Sequence, residues 1–134
     1  MINWKKIIIH CSDTRIDQSF TAKDIDVWHK KRGWSGIGYH YVILQNGTVE
    51  VGRSLNKKGA HCKGENHDSI GVCFMGGKDE KGKKWESPTG RQIEAFRKLE
   101  IALLKAYGDL EVYGHYEFSS KTCPNFEVCM LWEY

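Results

Sequence analysis

Ile7-Ile8-Ile9-His10-Cys11 is the stretch that decides the fold of this 134-residue chain. A short β-branched run of this kind is typical of a strand buried on both faces of a sheet. His10 ends the run, and a histidine there projects at the rim where open α/β sheets build their sites. Taken alone, His10 is more often a packed core histidine than a ligand. In a strand Cys11 points to the opposite face, and we interpret it as a small buried hydrophobic residue.

A second stretch, His115-Tyr-Glu-Phe-Ser-Ser-Lys121-Thr-Cys123-Pro124, offers a histidine and a cysteine eight residues apart. Imidazole nitrogen and thiolate sulfur are preferred zinc ligands, and a loop between them lets both turn toward one ion. Pro124 suits the first position of a helix, so Cys123 is predicted near a helix N-terminus, where the dipole favours a thiolate. With these two residues available, a metal-ligand role for His10 becomes the preferred interpretation.

Two capping boxes predict the main helices. Thr21-Ala-Lys-Asp24 predicts a helix that Gly33 ends. Thr89-Gly-Arg-Gln92 precedes apolar residues at spacings of three and four, which predicts a long helix that closes at Gly108. A short helix is also predicted over residues 125–134.

The clearest β-hairpin signal is the turn Asn46-Gly47 between two alternating segments over residues 39–52. Period-two alternation puts Tyr39 and Tyr41 on one face of this hairpin and His40 on the other. Either tyrosine could be ordinary sheet packing.

Further strands are predicted over residues 69–75 and 110–113, and a long polar loop over residues 53–68. Together these elements predict a single-domain α/β fold, residues 1–134, with a central mixed β-sheet flanked by helices on both faces. The ends of the first and last strands then carry His10 and His115. The loop that follows brings Cys123 to the same rim.

The composition excludes several classes of protein. No run of 18 apolar residues is present, so no membrane span is expected. Five scattered cysteines favour thiols and a metal over a disulfide framework. The net charge of +3 suits a polyanionic surface but is too weak to predict a nucleic-acid partner. The N-terminus lacks an apolar signal core, so we expect synthesis in the cytoplasm.

Three protein ligands plus one open position is the arrangement of a catalytic zinc, whereas a structural zinc normally has four. A closed site remains an alternative, because three other histidines could each supply a fourth ligand: His40, His61 and His67. An open zinc site lowers the pKa of bound water to about 7, and the hydroxide can attack an amide carbonyl. Lys121 is placed to stabilise the resulting oxyanion, and a tyrosine hydroxyl could orient the water. The spacing does not choose between Tyr39 and Tyr41.

Seven segments carry a family resemblance, and they follow one another from residue 9 to residue 124: Ile9-His10-Cys11-Ser12, Trp28-His29-Lys30, Gly33-Trp34, Gly38-Tyr39-His40, residues 46–50, residues 66–73 and residues 115–124. In these segments the chain resembles the zinc-dependent N-acetylmuramoyl-L-alanine amidases, particularly the small phage lysozyme-type enzymes. That family shares a fold with the peptidoglycan recognition proteins.

The resemblance implies a role for each candidate residue. The implied ligands of one zinc ion per chain are His10, His115 and Cys123. The implied catalytic pair is Tyr39 and Lys121, and the implied groove for the stem peptide is lined by His61 and Asn66. The implied reaction is hydrolysis of the amide between the N-acetylmuramic acid lactyl group and L-alanine. Glycosidic cleavage would need two carboxylates flanking a sugar, and no such pair stands out.

The implied partner is bacterial peptidoglycan, and we expect a monomer with no nucleic-acid or membrane partner. We expect the chain to act on the wall after release or holin-type export, as a phage or prophage endolysin. Two alternatives are a non-catalytic peptidoglycan-binding module and a polymerase-inhibiting interaction protein. Cys123 argues against the first, because non-catalytic recognition proteins commonly lose that cysteine. Some phage relatives inhibit an RNA polymerase through an N-terminal extension, so the short segment before the first strand argues against the second alternative. No residues follow Tyr134, so we expect a domain without a wall-binding module.

Overall fold

The computed structural model describes residues 2–133 and is built on a five-stranded mixed sheet. The strands in chain order are β1 Lys6–Cys11, β2 Thr14–Arg15, β3 Tyr41–Ile43, β4 Val49–Val51, β5 Ser69–Phe74, β6 Gly77–Lys78 and β7 Glu111–Gly114. The main sheet has the order β4-β3-β5-β1-β7, with β4 antiparallel to β3 and the other neighbouring pairs parallel. Strands β2 and β6 form a separate small sheet.

Two α-helices follow the predicted capping boxes: α1 Ala22–Lys31 and α2 Gly90–Tyr107. In α2 the hydroxyl of Thr89 accepts from the backbone N–H of Gln92, and the Gln92 side chain accepts from the backbone N–H of Thr89. Gly108 ends α2 at a φ of 81°, which favours glycine. Two short 3₁₀ helices cover His115–Glu117 and Val128–Trp132. Within residues 2–133, no helix has both the length and the apolar character that crossing a membrane requires.

The two α-helices cover opposite faces of the sheet. Alternate residues of β1, such as Ile7 and Ile9, pack in one core cluster with Phe96 of α2. On the other face, Val42 of β3 packs in a second cluster with Ile25 of α1. The predicted α/β fold with helices on both faces is therefore confirmed.

Two local predictions were wrong. Tyr39 and Tyr41 lie on opposite faces, because β3 begins only at Tyr41 and the alternation does not extend back to Tyr39. No helix begins at Pro124, since residues 123–126 form a turn followed by a bend, and the next helix is the 3₁₀ segment that starts at Val128. The predicted short helix over residues 125–134 reduces to that segment, and its last residue, Tyr134, lies outside the described residues.

Strand register positions the candidate site. Ile9 of β1 is paired with Gly114 of β7, so the next residue along each strand direction is a histidine, His10 or His115. His10 is also opposite Cys73 of β5, which makes β1 an interior strand. The parallel strands thus deliver both histidines to the same edge of the sheet.

Candidate functional site

His10, His115 and Cys123 converge. Their ligand atoms all lie within 4.8 Å of one another, which makes them a group able to hold a metal ion. The Sγ atom of Cys123 is 3.9 Å from Nδ1 of His10, and the ring centres of the two histidines are 4.5 Å apart. His10 is buried, whereas the other two side chains are half-buried. Two imidazoles and a thiolate are a donor set that fits zinc.

The thiol of Cys123 is stabilised as a thiolate by its neighbours. The backbone N–H of Cys11 donates to its Sγ at 3.2 Å. Contact with the Cys11 side chain, and then with His10 and His115, holds the pKa of Cys123 well below its usual range. A helix N-terminus was predicted to do this, but no helix begins there. Cys11 itself is buried in the cluster that contains Ile7, Ile9 and Phe96, which we call the α2-side core. Its burial agrees with its interpretation as a packed residue.

The three other histidines that could have closed the metal site are engaged elsewhere. The ring nitrogens of His40 lie within hydrogen-bond distance of the carbonyl oxygen of Lys57 and the backbone nitrogen of Gly71. Both nitrogens of His61 are also engaged, one of them with His10 itself. His67 is exposed and lies 3.6 Å from Asp68, with both residues lining a different pocket. The group therefore offers three ligand candidates, which is the number of protein ligands in catalytic zinc sites.

The cavity in front of the three ligand candidates distinguishes the two tyrosines. Tyr39 lines this cavity, and its ring centre is 5.0 Å from that of His10. Tyr41 instead packs against the α2-side core. Burial raises the pKa of the Tyr39 phenol well above its usual value, so the hydroxyl keeps its proton and can donate a hydrogen bond. Of the two tyrosines that the spacing left open, Tyr39 is therefore the one beside the ligand candidates.

The cavity has a volume of about 720 Å³, and most of the charged side chains that line it are basic. Lys121 is exposed and lines it together with Arg32, Lys78 and Lys84, whereas Asp13 is the one carboxylate among the described lining residues. A wall with this balance of charges attracts anionic groups such as the carboxylates of a peptide.

Of the two residues predicted to line a substrate groove, only one lines the cavity. His61 lines the cavity, and its Nδ1 lies 2.8 Å from Nε2 of His10. Asn66 is not among the cavity-lining residues, and its side-chain oxygen accepts from the backbone N–H groups of His61 and Cys62 at 3.0 Å each. The contact between the two histidines was not predicted from the sequence, because it joins a loop to a strand 51 residues away in the chain.

A family model described as N-acetylmuramoyl-L-alanine amidase matches residues 2–126. The chain belongs to the N-acetylmuramoyl-L-alanine amidase family. The endolysin of Escherichia phage T7 is 42% identical to this amidase-family chain over 127 residues, which cover 95% of the chain and 84% of the endolysin. The resemblance inferred from the seven motifs is thereby confirmed.

Solved structures of this amidase family support the same assignment. The N-acetylmuramoyl-L-alanine amidase LysC from Clostridium intestinale URNW is similar with a TM-score of 0.84 at 31% identity, covering 98% of this chain and 85% of LysC. Drosophila peptidoglycan recognition protein SD has a TM-score of 0.83 at 22% identity, over 100% of this chain and 82% of that one. That second likeness shows the fold alone, and it confirms the predicted fold shared with the recognition proteins.

Proposed function

We propose that this chain hydrolyses the amide between the N-acetylmuramic acid lactyl group and L-alanine in bacterial peptidoglycan, as a phage or prophage endolysin. The observation that carries the proposal is the convergence of His10, His115 and Cys123 in one basic cavity. Membership of the amidase family supplies the class of bond. The similarity to the T7 endolysin supports a lytic role.

Zinc is the metal that this donor set fits best, and His10, His115 and Cys123 would hold one ion per chain. A zinc ion there would supply Lewis acidity and would make water nucleophilic at neutral pH. The lowered pKa of Cys123 supports this role, because the thiolate is the form that binds metal.

Two further residues act on the scissile amide. Tyr39 keeps its hydroxyl proton and donates a hydrogen bond in the transition state, either to the attacking oxygen or to the amide oxygen. Lys121 lies at the exposed side of the same cavity and offers its cation to the negative charge that develops on the carbonyl oxygen.

The stem peptide occupies the basic cavity. Its carboxylates are attracted by the lining cations. His61 bounds the same groove with its ring surface, because both of its ring nitrogens are engaged within the protein. The contacts of Asn66 favour a different role, which is to hold the loop that carries His61. We further propose that the chain acts as a monomer and reaches the wall after release from the cytoplasm, without a nucleic-acid or membrane partner.

The test is digestion of purified peptidoglycan, with product analysis by mass spectrometry. Zinc-loaded protein should release stem peptides that carry a free L-alanine amino group, and a chelator should abolish this release until zinc is restored. New reducing sugar ends without free L-alanine would contradict the proposal. Wall binding without release of peptides would point instead to a recognition module.

A further inference from the structure

His61 connects the backbone of β5 to a metal-ligand candidate through both of its ring nitrogens. Its Nε2 lies 3.1 Å from the carbonyl oxygen of Ser69 and 3.3 Å from the hydroxyl oxygen of the same residue. That hydroxyl donates its proton to the carbonyl oxygen of Glu65 at 2.6 Å. On the other side of the ring, Nδ1 lies 2.8 Å from Nε2 of His10.

These contacts determine where the protons are. A carbonyl oxygen only accepts, and the Ser69 hydroxyl has already donated its proton, so Nε2 of His61 is the donor to both. A neutral imidazole carries a single ring proton, so Nδ1 of His61 accepts. The proton between the two rings therefore belongs to Nε2 of His10. Nδ1 of His10 is left with a free lone pair, and it is the nitrogen that lies 3.9 Å from Sγ of Cys123.

We infer that His61 is a positioning residue, which fixes the tautomer and orientation of His10 so that its Nδ1 lone pair faces the metal position. Metal-ligating histidines generally donate their other N–H to such a partner, which fixes the ring and raises its basicity. Here the partner is a second imidazole, fixed in turn by the backbone of β5. This inference rests on the zinc site of the proposed function.

The fold around His61 is shaped to hold this ring. A Cβ atom added at Gly71 would lie 2.6 Å from ring atoms of His61, and one added at Gly59 would lie 2.5 Å from its Cδ2. Both glycines are therefore required for the ring to occupy its place. The Asn66 side chain fixes the backbone at His61 from the other side. Both histidine rings are buried, so solvent does not compete for the bond between them.

The test uses nitrogen NMR of the imidazoles in zinc-free protein, followed by measurement of zinc affinity in competition with a chelator. In the wild type, His10 should be protonated on Nε2 and not on Nδ1. His61→Phe removes the acceptor but keeps a ring, so it should shift His10 toward the Nδ1-protonated tautomer and weaken zinc binding by roughly 10–100-fold. His61→Asn retains an oxygen acceptor near the position of Nδ1, and it should restore the wild-type tautomer and most of the affinity.

His40→Phe is the matched control, since His40 is also a buried histidine and its ring centre lies 6.0 Å from that of His61. Both phenylalanine variants should lower the melting temperature, but only His61→Phe should change the His10 tautomer. A wild-type His10 protonated on Nδ1, or unchanged affinity in folded His61→Phe, would overturn the inference. If His61→Phe does not fold, the wild-type and His61→Asn spectra decide the question. A wild type that binds no zinc would instead count against the proposed function, because the tautomer is measured without metal.

Discussion

His10 in β1 and His115 directly after β7 lie side by side, with ring centres 4.5 Å apart. The relationship follows from the parallel register, which pairs Ile9 with Gly114. Since the two histidines are far apart in the chain, their meeting depends on strand pairing and not on a local motif. Only Cys123 reaches the site through a local loop, the one that follows His115.

Cys123→Ser should weaken zinc binding and abolish wall hydrolysis. A serine hydroxyl is a poor replacement for a thiolate as a zinc ligand. Loss of the thiolate would leave only two ligand candidates, His10 and His115. Metal content after dialysis and release of stem peptides are the two measurements. Cys129→Ser is the control, because that cysteine is exposed and outside the ligand group. Full hydrolysis by zinc-depleted Cys123→Ser would contradict the mechanism.

Much of the fold could be predicted because its signals are local. The β-branched run of β1, the capping boxes of α1 and α2 and the Asn46-Gly47 turn each fix a nearby backbone conformation. The small sheet of β2 and β6 was not predicted, because strands of two residues are too short to show any periodicity.

The candidate site could likewise be predicted from the sequence only in part. Residue types and spacing supplied its ligand candidates and the resemblance agreed with them, and the structure shows that their ligand atoms lie within 4.8 Å of one another. The faces of Tyr39 and Tyr41 were predicted wrongly, because the start of β3 is set by its pairing with β5 and β4. The bond between His61 and His10 could not be predicted, since the path of a 16-residue loop is determined by tertiary contacts.

Lys121→Ala should retain zinc and lose activity. If the ammonium group stabilises the developing oxyanion, its removal should cost about 3 kcal/mol in the transition state, or roughly 10²–10³ in kcat. Steady-state release of stem peptides, alongside metal content, checks both parts of the prediction. Lys105→Ala on the exposed surface of α2 is the control for loss of a lysine charge. Unchanged turnover of Lys121→Ala would remove this residue from the catalytic group.

Tyr39→Phe and Tyr41→Phe should differ clearly in kcat. Tyr39 lines the cavity near His10, so loss of its hydroxyl should lower kcat by about 10²-fold or more. Tyr41 packs against the α2-side core, so its variant should change stability slightly and leave turnover near the wild type. Kinetics of stem-peptide release and thermal unfolding of both variants give the comparison. Equal turnover in the two variants would show that the cavity placement of Tyr39 carries no catalytic role.

The metal-free protein should lose stability as the pH falls below about 6.5, the ordinary pKa of histidine. Burial, and then the charge of His10, lowers the pKa of His61 to about 2. Between these values the unfolded chain binds more protons than the folded one. The free energy of unfolding therefore decreases as the pH decreases. For His61 alone, the loss at pH 5 relative to neutral pH is about 2 kcal/mol. Denaturant unfolding between pH 8 and pH 5, with metal removed, measures it.

Two variants isolate this contribution of His61 to the pH dependence. His61→Asn removes the group that takes up the proton on unfolding, so its stability should depend less steeply on pH between about 6.5 and 5. His67→Gln is the control for loss of an exposed histidine side chain. The steepness that remains in His61→Asn is expected from His10, His29 and His40, because burial lowers the pKa of each of them as well. A pH dependence that is identical in wild type and His61→Asn would show that His61 takes up its proton equally in the folded and unfolded states.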